Sequence, residues 1–328
     1  MGRSQPEVSL RVDAHLDIAW SALAERRGFD QPTAAGYLVS RRSLVEAEVG
    51  IVFATIFCPP PTSRAVRSTL SYDTPREANL IARAQLGYYQ SLNLPLITDQ
   101  ATLSRHVKGW RHGRLAAVLL MEGADPIEAP KQVAEWADSG VRIIGPAWEA
   151  TRYSGGEGMP QGLTALGLKL LEEMGRCRLI LDLSHLSDRA VHDALAIWRG
   201  PVIASHSNAR ALRPGPRQLT DATIAEVARR GGVIGVSFYC KHLRTDRHPA
   251  VLNDVVNQIR HMAQVAGRPD HIGIGTDSDG LFPASGSALR KLADLERLEA
   301  KLLSYFSKTQ VAGIMGGNWV RFLEKSLP

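Results

Sequence analysis

The chain has 328 residues, 44% hydrophobic and 22% charged, with a formal net charge of +6. This is the composition of a globular protein with a sizeable core, and it excludes a disordered, collagenous or fibrous chain. Lysine and arginine form only short clusters such as Arg26-Arg27, Arg41-Arg42 and Arg229-Arg230, with no basic stripe interleaved with aromatics. That argues against a nucleic-acid partner and leaves a mild attraction for anionic small molecules.

The N-terminal stretch, Met1 to Glu7, is polar and offers no secretory apolar region. Pro6 breaks the myristoylation pattern that Gly2 would open. No apolar run reaches membrane-spanning length. Cys58, Cys177 and Cys240 are far apart and read as free thiols in a reducing compartment. The expected location is cytoplasmic, with no membrane partner.

Strand-like apolar runs alternate with helical stretches along the chain. Ser9 leads into a first strand at 10–14. Further strands are expected at 50–57, stopped by Pro59-Pro60-Pro61, and at 115–121, 141–147, 178–184, 201–205, 232–238 and 271–276. Helices are expected at 75–92, 131–139, 164–177, 187–198 (Ser187 as N-cap), 220–230 (Thr220 as N-cap), 251–266, 289–306 and 320–325. The glycine-rich segments 154–158 and 313–317 lack Walker spacing and read as loops. Eight strands alternating with helices predict a single (β/α)8 TIM barrel over residues 1–328, with its chemistry at the C-terminal strand ends.

Those ends carry a common chemistry. The first strand leads to His15 and Asp17, two residues apart and so on one side of an extended backbone. The third ends in Glu122, the fifth in His185, the sixth in His206 and the eighth in Asp277. Any one of these alone is an ordinary turn residue, but three imidazoles and three carboxylates on one rim point to metal. Six such groups exceed the three protein ligands of a usual mononuclear catalytic zinc site, so two ions are expected, with a glutamate able to bridge them. His106, His112, His192, His242, His248, His261 and His271 lack this placement. Asp182 reads as a residue orienting His185 or as a satisfied strand-end acid, and Asp279 as a turn former before Gly280.

The chain resembles the membrane dipeptidase (renal dipeptidase) family of the amidohydrolase superfamily. The resemblance rests on Asp13-Ala14-His15-Leu16-Asp17, Met121-Glu122-Gly123, Leu181-Asp182-Leu183-Ser184-His185, Ser205-His206-Ser207-Asn208, Gly273-Ile274-Gly275-Thr276-Asp277 and Gly316-Gly317-Asn318. It implies a zinc-dependent dipeptidase of the metallopeptidase class. His15, Asp17 and Glu122 would hold one Zn2+, and Glu122, His185 and His206 the second, with Glu122 bridging. By the same resemblance Asp277 would shuttle a proton from the attacking water to the leaving amine. Arg217 would bind the substrate carboxylate; the competing reading is a surface arginine in a proline-rich loop. The resemblance further implies tolerance of a C-terminal D-residue and a homodimer. One departure stands out: Trp148 occupies the position of a family histidine that contacts substrate. Indole cannot carry a proton at neutral pH. Trp148 therefore lines the substrate pocket or simply packs. The departure keeps open a second expectation, a barrel hydrolase acting on a non-peptide amide, lactone or phosphoester.

Overall fold

The computed structural model describes residues 10–60, 70–246, 248–280 and 282–328. Ser9, Pro61 and the polar stretch Met1 to Glu7 lie outside them. Eight strands follow one another: β1 Arg11–Leu16, β2 Val49–Phe57, β3 Ala116–Glu122, β4 Val141–Gly145, β5 Ile180–Asp182, β6 Val202–Ile203, β7 Ile234–Val236 and β8 Ile272–Ile274. β1 to β6 pair in chain order as a parallel sheet, and β7 pairs with β8.

Two seams join the sheets into a (β/α)8 barrel. At the first, Ala204 bridges to Ile234, and Ser207 N donates to Gly235 O at 2.7 Å. At the second, Asp277 N donates to His15 O at 3.3 Å, and the Asp13 carboxylate accepts Thr276 N at 2.8 Å and Thr276 Oγ1 at 2.5 Å. A side chain thus replaces part of the strand ladder beside the residues that carry function.

The strands are buried on both faces, as parallel strands under helices must be. Val12, Ala14, Phe53, Val118, Ile143 and Ile203 belong to an inner cluster with Trp319 and Phe322. Their neighbours Val52, Ala54, Leu119, Met121, Ile144 and Leu181 belong to the outer cluster beneath the helices. Each large aliphatic side chain so buried contributes about 1.5–3 kcal/mol. The helix Asn318–Ser326 covers the end where the strands begin. Trp319 Nε1 donates to Ile274 O at 3.0 Å, and a Cβ at Gly273 would meet that nitrogen at 2.2 Å.

Several expected bounds move. β1 extends to Leu16, so His15 lies within the strand. β5 to β8 are shorter than their apolar runs, because side chains take over the backbone N–H groups beyond them: Asp182 beyond β5 and β6, Asn208 beyond β7 and Asp13 beyond β8. The helix expected over 289–306 is broken: a 3-10 turn at Leu292–Asp294 leads into Leu295–Leu302, since the Asp294 side chain accepts Arg290 N and Lys291 N and starts the helix there. The glycine segment 313–317 is not a loop but a π-helical turn, Gly313–Gly317, joining Lys308–Ala312 to the last helix. Gly316 presses on β1, where a Cβ would meet Leu10 O at 2.2 Å. Short helices at Ile18–Ala24, Arg41–Glu46, Gln100–Lys108 and Cys240–Leu243 carry too little periodicity to be read from sequence. Ser187 and Thr220 do cap their helices, accepting Ala190 N and Thr223 N.

Candidate active site

The barrel places His15, Asp17, Glu122, His185, His206 and Asp277 together at the C-terminal strand ends, all buried. Two of them need unusual backbone. His185 and Asp277 have φ of +68° and +60°, in the left-handed region. Such strain collects at functional sites, where the surroundings over-determine it.

Glu122 sits at the centre. Its Oε2 lies 3.5 Å from His15 Nε2, while its Oε1 lies 3.0 Å from His185 Nε2 and 3.4 Å from His206 Nε2. Asp17 Oδ1 is 3.9 Å from His15 Nε2 and accepts the Thr55 hydroxyl. His15, Asp17 and Glu122 therefore offer one converging set of donors, and Glu122, His185 and His206 a second. Asp277 converges with His15 and His206.

These residues fit a cation. His15 Nε2 and Glu122 Oε1 are buried without a hydrogen bond among the described residues, and two imidazole nitrogens, His185 Nε2 and His206 Nε2, face each other at 2.9 Å. Lone pairs crowded together in this way are unfavourable without a positive charge between them. The electrostatics of the cluster point the same way. Burial, Asp17 and Glu122 push the Asp277 carboxyl well above the usual range, against the pull of His15 and Arg217. Burial, then Glu122, raises Asp17 to about 6. Burial opposes charge on His15, but Glu122, Asp17 and Asp277 outweigh it and bring the imidazole to about 10. With metal absent, protons must supply the charge that carboxylates this close require.

A cleft of about 510 Å³ opens over the donors. Arg217 is buried in its wall. Its Nη1 donates to Ser207 Oγ at 3.1 Å and its Nη2 to His206 O at 2.6 Å, while Nε carries no hydrogen bond among the described residues. Trp148, half-buried, also lines the cleft, its ring 5.0 Å from that of Phe57 and 6.0 Å from that of His185.

Other residues enter that sequence reasoning passed over. Glu157, from the glycine-rich segment, places Oε2 3.3 Å from His185 Nδ1 and 3.7 Å from Arg217 Nε. The glycines on either side of it were the available signal. His242, set aside for lack of strand-end placement, also lines the cleft, and Ser237 Oγ lies 3.0 Å from its Nδ1. It comes from the short helix after β7. Asp182 does not reach His185; its carboxylate binds Ser184 N, Ser205 N and Ser205 Oγ. Asp279 is no simple turn former, since it is buried in an ion pair with Arg27 at 2.8 Å.

A parallel barrel with carboxylates and imidazoles converging at its C-terminal rim defines a metal-dependent hydrolase site. The chain belongs to the membrane dipeptidase family, peptidase family M19, whose model matches residues 6–326. It is a metallo-dipeptidase. An uncharacterized dipeptidase of Schizosaccharomyces pombe is 30% identical over 96% of this chain and 80% of its own length. Dipeptidase tcpJ of Claviceps purpurea is 29% identical over 90% of this chain and 71% of its own. Among solved structures, a metallopeptidase of family M19, dipeptidase AC, superposes with a TM-score of 0.85 at 25% identity, covering 98% of this chain and 99% of that one. A metallopeptidase from Rhodobacter sphaeroides, crystallised with a phosphinate mimic of the dipeptide L-Ala-D-Ala, shares the fold with a TM-score of 0.84 at 24% identity, covering 97% of this chain and 99% of that one. No helix among the described residues is long and apolar enough to cross a membrane.

Proposed function

We propose that the protein is a binuclear zinc dipeptidase acting on dipeptides with a free C-terminal carboxylate, including those ending in a D-residue. The observation that carries this reading is the placement of the two Glu122 oxygens, one toward His15 and the other toward His185 and His206. His15, Asp17 and Glu122 would hold one Zn2+, and Glu122, His185 and His206 the other. When bound, such ions polarise the scissile carbonyl and lower the pKa of a shared water toward about 7.

The remaining steps belong to the chain. Arg217 takes the substrate carboxylate through its guanidinium fork, displacing the neighbouring Glu157 carboxylate. Trp148 and Phe57 form an apolar wall that keeps water from the scissile bond. Asp277 accepts a proton from the attacking water at its carboxylate and returns it to the leaving amine, a general acid–base role that its position beside His15 and His206 allows. The three free cysteines suit work in a reducing, cytoplasmic compartment, and a homodimer is the assembly we expect.

Metal analysis together with hydrolysis of L-L and L-D dipeptides tests the proposal. About two zinc ions per chain with turnover supports it. Two ions with no turnover of any dipeptide rejects the substrate and favours the second reading, a non-peptide amide, lactone or phosphoester, which Trp148 in the cleft wall motivates.

A further inference from the structure

Ser205 follows β6, and its hydroxyl sits between His15 and His206, one from each of the two donor sets that share Glu122. Ser205 Oγ lies 2.9 Å from His206 Nδ1 and 3.3 Å from His15 Nδ1. On its other side it donates to Asp182 Oδ2 at 2.5 Å. Ser184 Oγ, at 3.3 Å, is a fourth neighbour that can turn its own proton elsewhere and so forces nothing. Ser205 and Asp182 are buried, at 0% and 2% exposure, so their hydrogen bonds are made within the protein.

The direction of the hydrogen bonds follows from valence. A carboxylate only accepts, so the single Ser205 proton goes to Asp182. The lone pairs left on Ser205 Oγ then accept, and both imidazoles must present Nδ1–H to it. A neutral imidazole with its proton on Nδ1 has a bare Nε2. Both Nε2 atoms point to the centre, where Glu122 lies.

We propose that Ser205, held by Asp182, is a positioning residue that fixes the tautomers of His15 and His206 together, so that one hydroxyl prepares a ligand in each of the two metal positions. This rests on the two-metal reading above. The backbone is built to hold the hydroxyl still. Asp182 Oδ1 accepts both Ser184 N and Ser205 N at 2.9 Å. Gly235 and Gly275 close on Ser205 from the next two strands, each so near that a Cβ would meet Ser205 O at 1.9 Å.

The test compares wild type, Ser205→Ala, Asp182→Asn and the double variant, titrated with Zn2+ against a chelator, with metal counted per chain and folding checked by circular dichroism. In Asp182→Asn the amide oxygen still accepts the two backbone N–H groups, so the amide nitrogen faces Ser205 and donates to it. The Ser205 hydroxyl then donates to the nearest remaining acceptor, His206 Nδ1 at 2.9 Å, ahead of His15 Nδ1 and Ser184 Oγ at 3.3 Å; a ring that accepts at Nδ1 carries its own proton on Nε2 and loses a ligand atom. Zinc affinity should fall roughly 10- to 100-fold, as for other outer partners of metal ligands. Ser205→Ala leaves the rings free to choose either tautomer and should cost less. The double variant should recover to the Ser205→Ala value. In the metal-free protein, side-chain ¹⁵N shifts should place the His206 proton on Nδ1 in wild type and move it toward Nε2 in Asp182→Asn. Additive losses, or an unmoved His206 tautomer, would overturn the proposal. Wild type binding a single ion would instead strike at the two-metal reading, and the tautomer measurement would still decide the role of Ser205.

Discussion

Arg27 Nη1 and Oδ1 of the buried Asp279, two residues beyond Asp277, form an ion pair at 2.8 Å, with Glu25 on the other side of the guanidinium. Arg27 also donates to Ser21 Oγ at 2.8 Å, Ser21 Oγ donates to Asp279 O at 2.9 Å, and the guanidinium lies 3.8 Å over the Tyr37 ring. The loop after β1 thereby fixes the loop after β8, which carries the proposed proton carrier. Removing one partner of a buried pair leaves an uncompensated charge. Arg27→Ala should cost about 1–3 kcal/mol in urea unfolding, since the Asp279 carboxyl, which burial already raises to about 7, can take up a proton once its partner is gone. Turnover per folded molecule should also drop through kcat, with KM nearly unchanged, because Asp277 loses its support.

Asp277→Asn separates chemistry from architecture. Asparagine tolerates the left-handed backbone that Asp277 adopts at φ +60°, so folding should persist. The amide cannot take up and return a proton. We expect kcat to fall by roughly 10²–10⁴, with metal content and melting temperature preserved. A variant within a factor of a few of wild type would remove Asp277 from the proton path.

Arg217→Lys replaces a planar fork by a point charge and gives up the bonds to Ser207 and His206. Loss of one charge-assisted hydrogen bond to the substrate, about 1.5–3 kcal/mol, predicts a rise in KM of ten-fold or more for free dipeptides. Peptides amidated at the C-terminus should show little difference between the two enzymes. Equal losses on both substrate types would assign Arg217 to the architecture of His206 instead.

Trp148→His places a second kind of hydrogen-bonding ring in the cleft wall, at the position where the resemblance predicts a histidine. Its ring faces His185 across 6.0 Å. The expected outcome is a rise in dipeptide kcat/KM of roughly ten-fold, the value of one hydrogen bond to a charged group. A fall, with the zinc content intact, would make the indole itself a determinant of the substrate.

Metal removal has a signed pH dependence. The ligand imidazoles and carboxylates must give up protons to bind a cation, so affinity should weaken as pH falls and binding should release protons. Chelation should abolish activity and lower the melting temperature, and added metal should restore both. Calorimetry in buffers of different ionisation enthalpy counts the protons released.

Much of the fold was legible because the signals are local. Val49–Phe57 and Ala116–Glu122 are unbroken apolar runs of strand length, and Pro75–Ser91 carries a capping box at Thr74 with proline behind it. The helix-breaking glycines misled at Gly313–Gly317, where what matters is the close passage of Gly316 over Leu10 O, a contact between the two ends of the chain. The helix Cys240–Leu243, and with it His242, was invisible because a single turn has no period to read.

The sequence by itself determined which groups stand at the strand ends. Alternation of strand and helix places His15, Glu122, His185, His206 and Asp277 at one rim of a parallel barrel whatever the details, since in such a fold every strand runs the same way. Only the tertiary structure decided what those groups face. Glu157 beside Arg217, Arg27 beneath Asp279, and one Ser205 hydroxyl between His15 and His206 are contacts between residues up to 252 positions apart. They depend on how far the strands at each seam shift and turn, and the packing of glycines such as Gly235 and Gly275 against Ser205 sets that displacement, which no local pattern records.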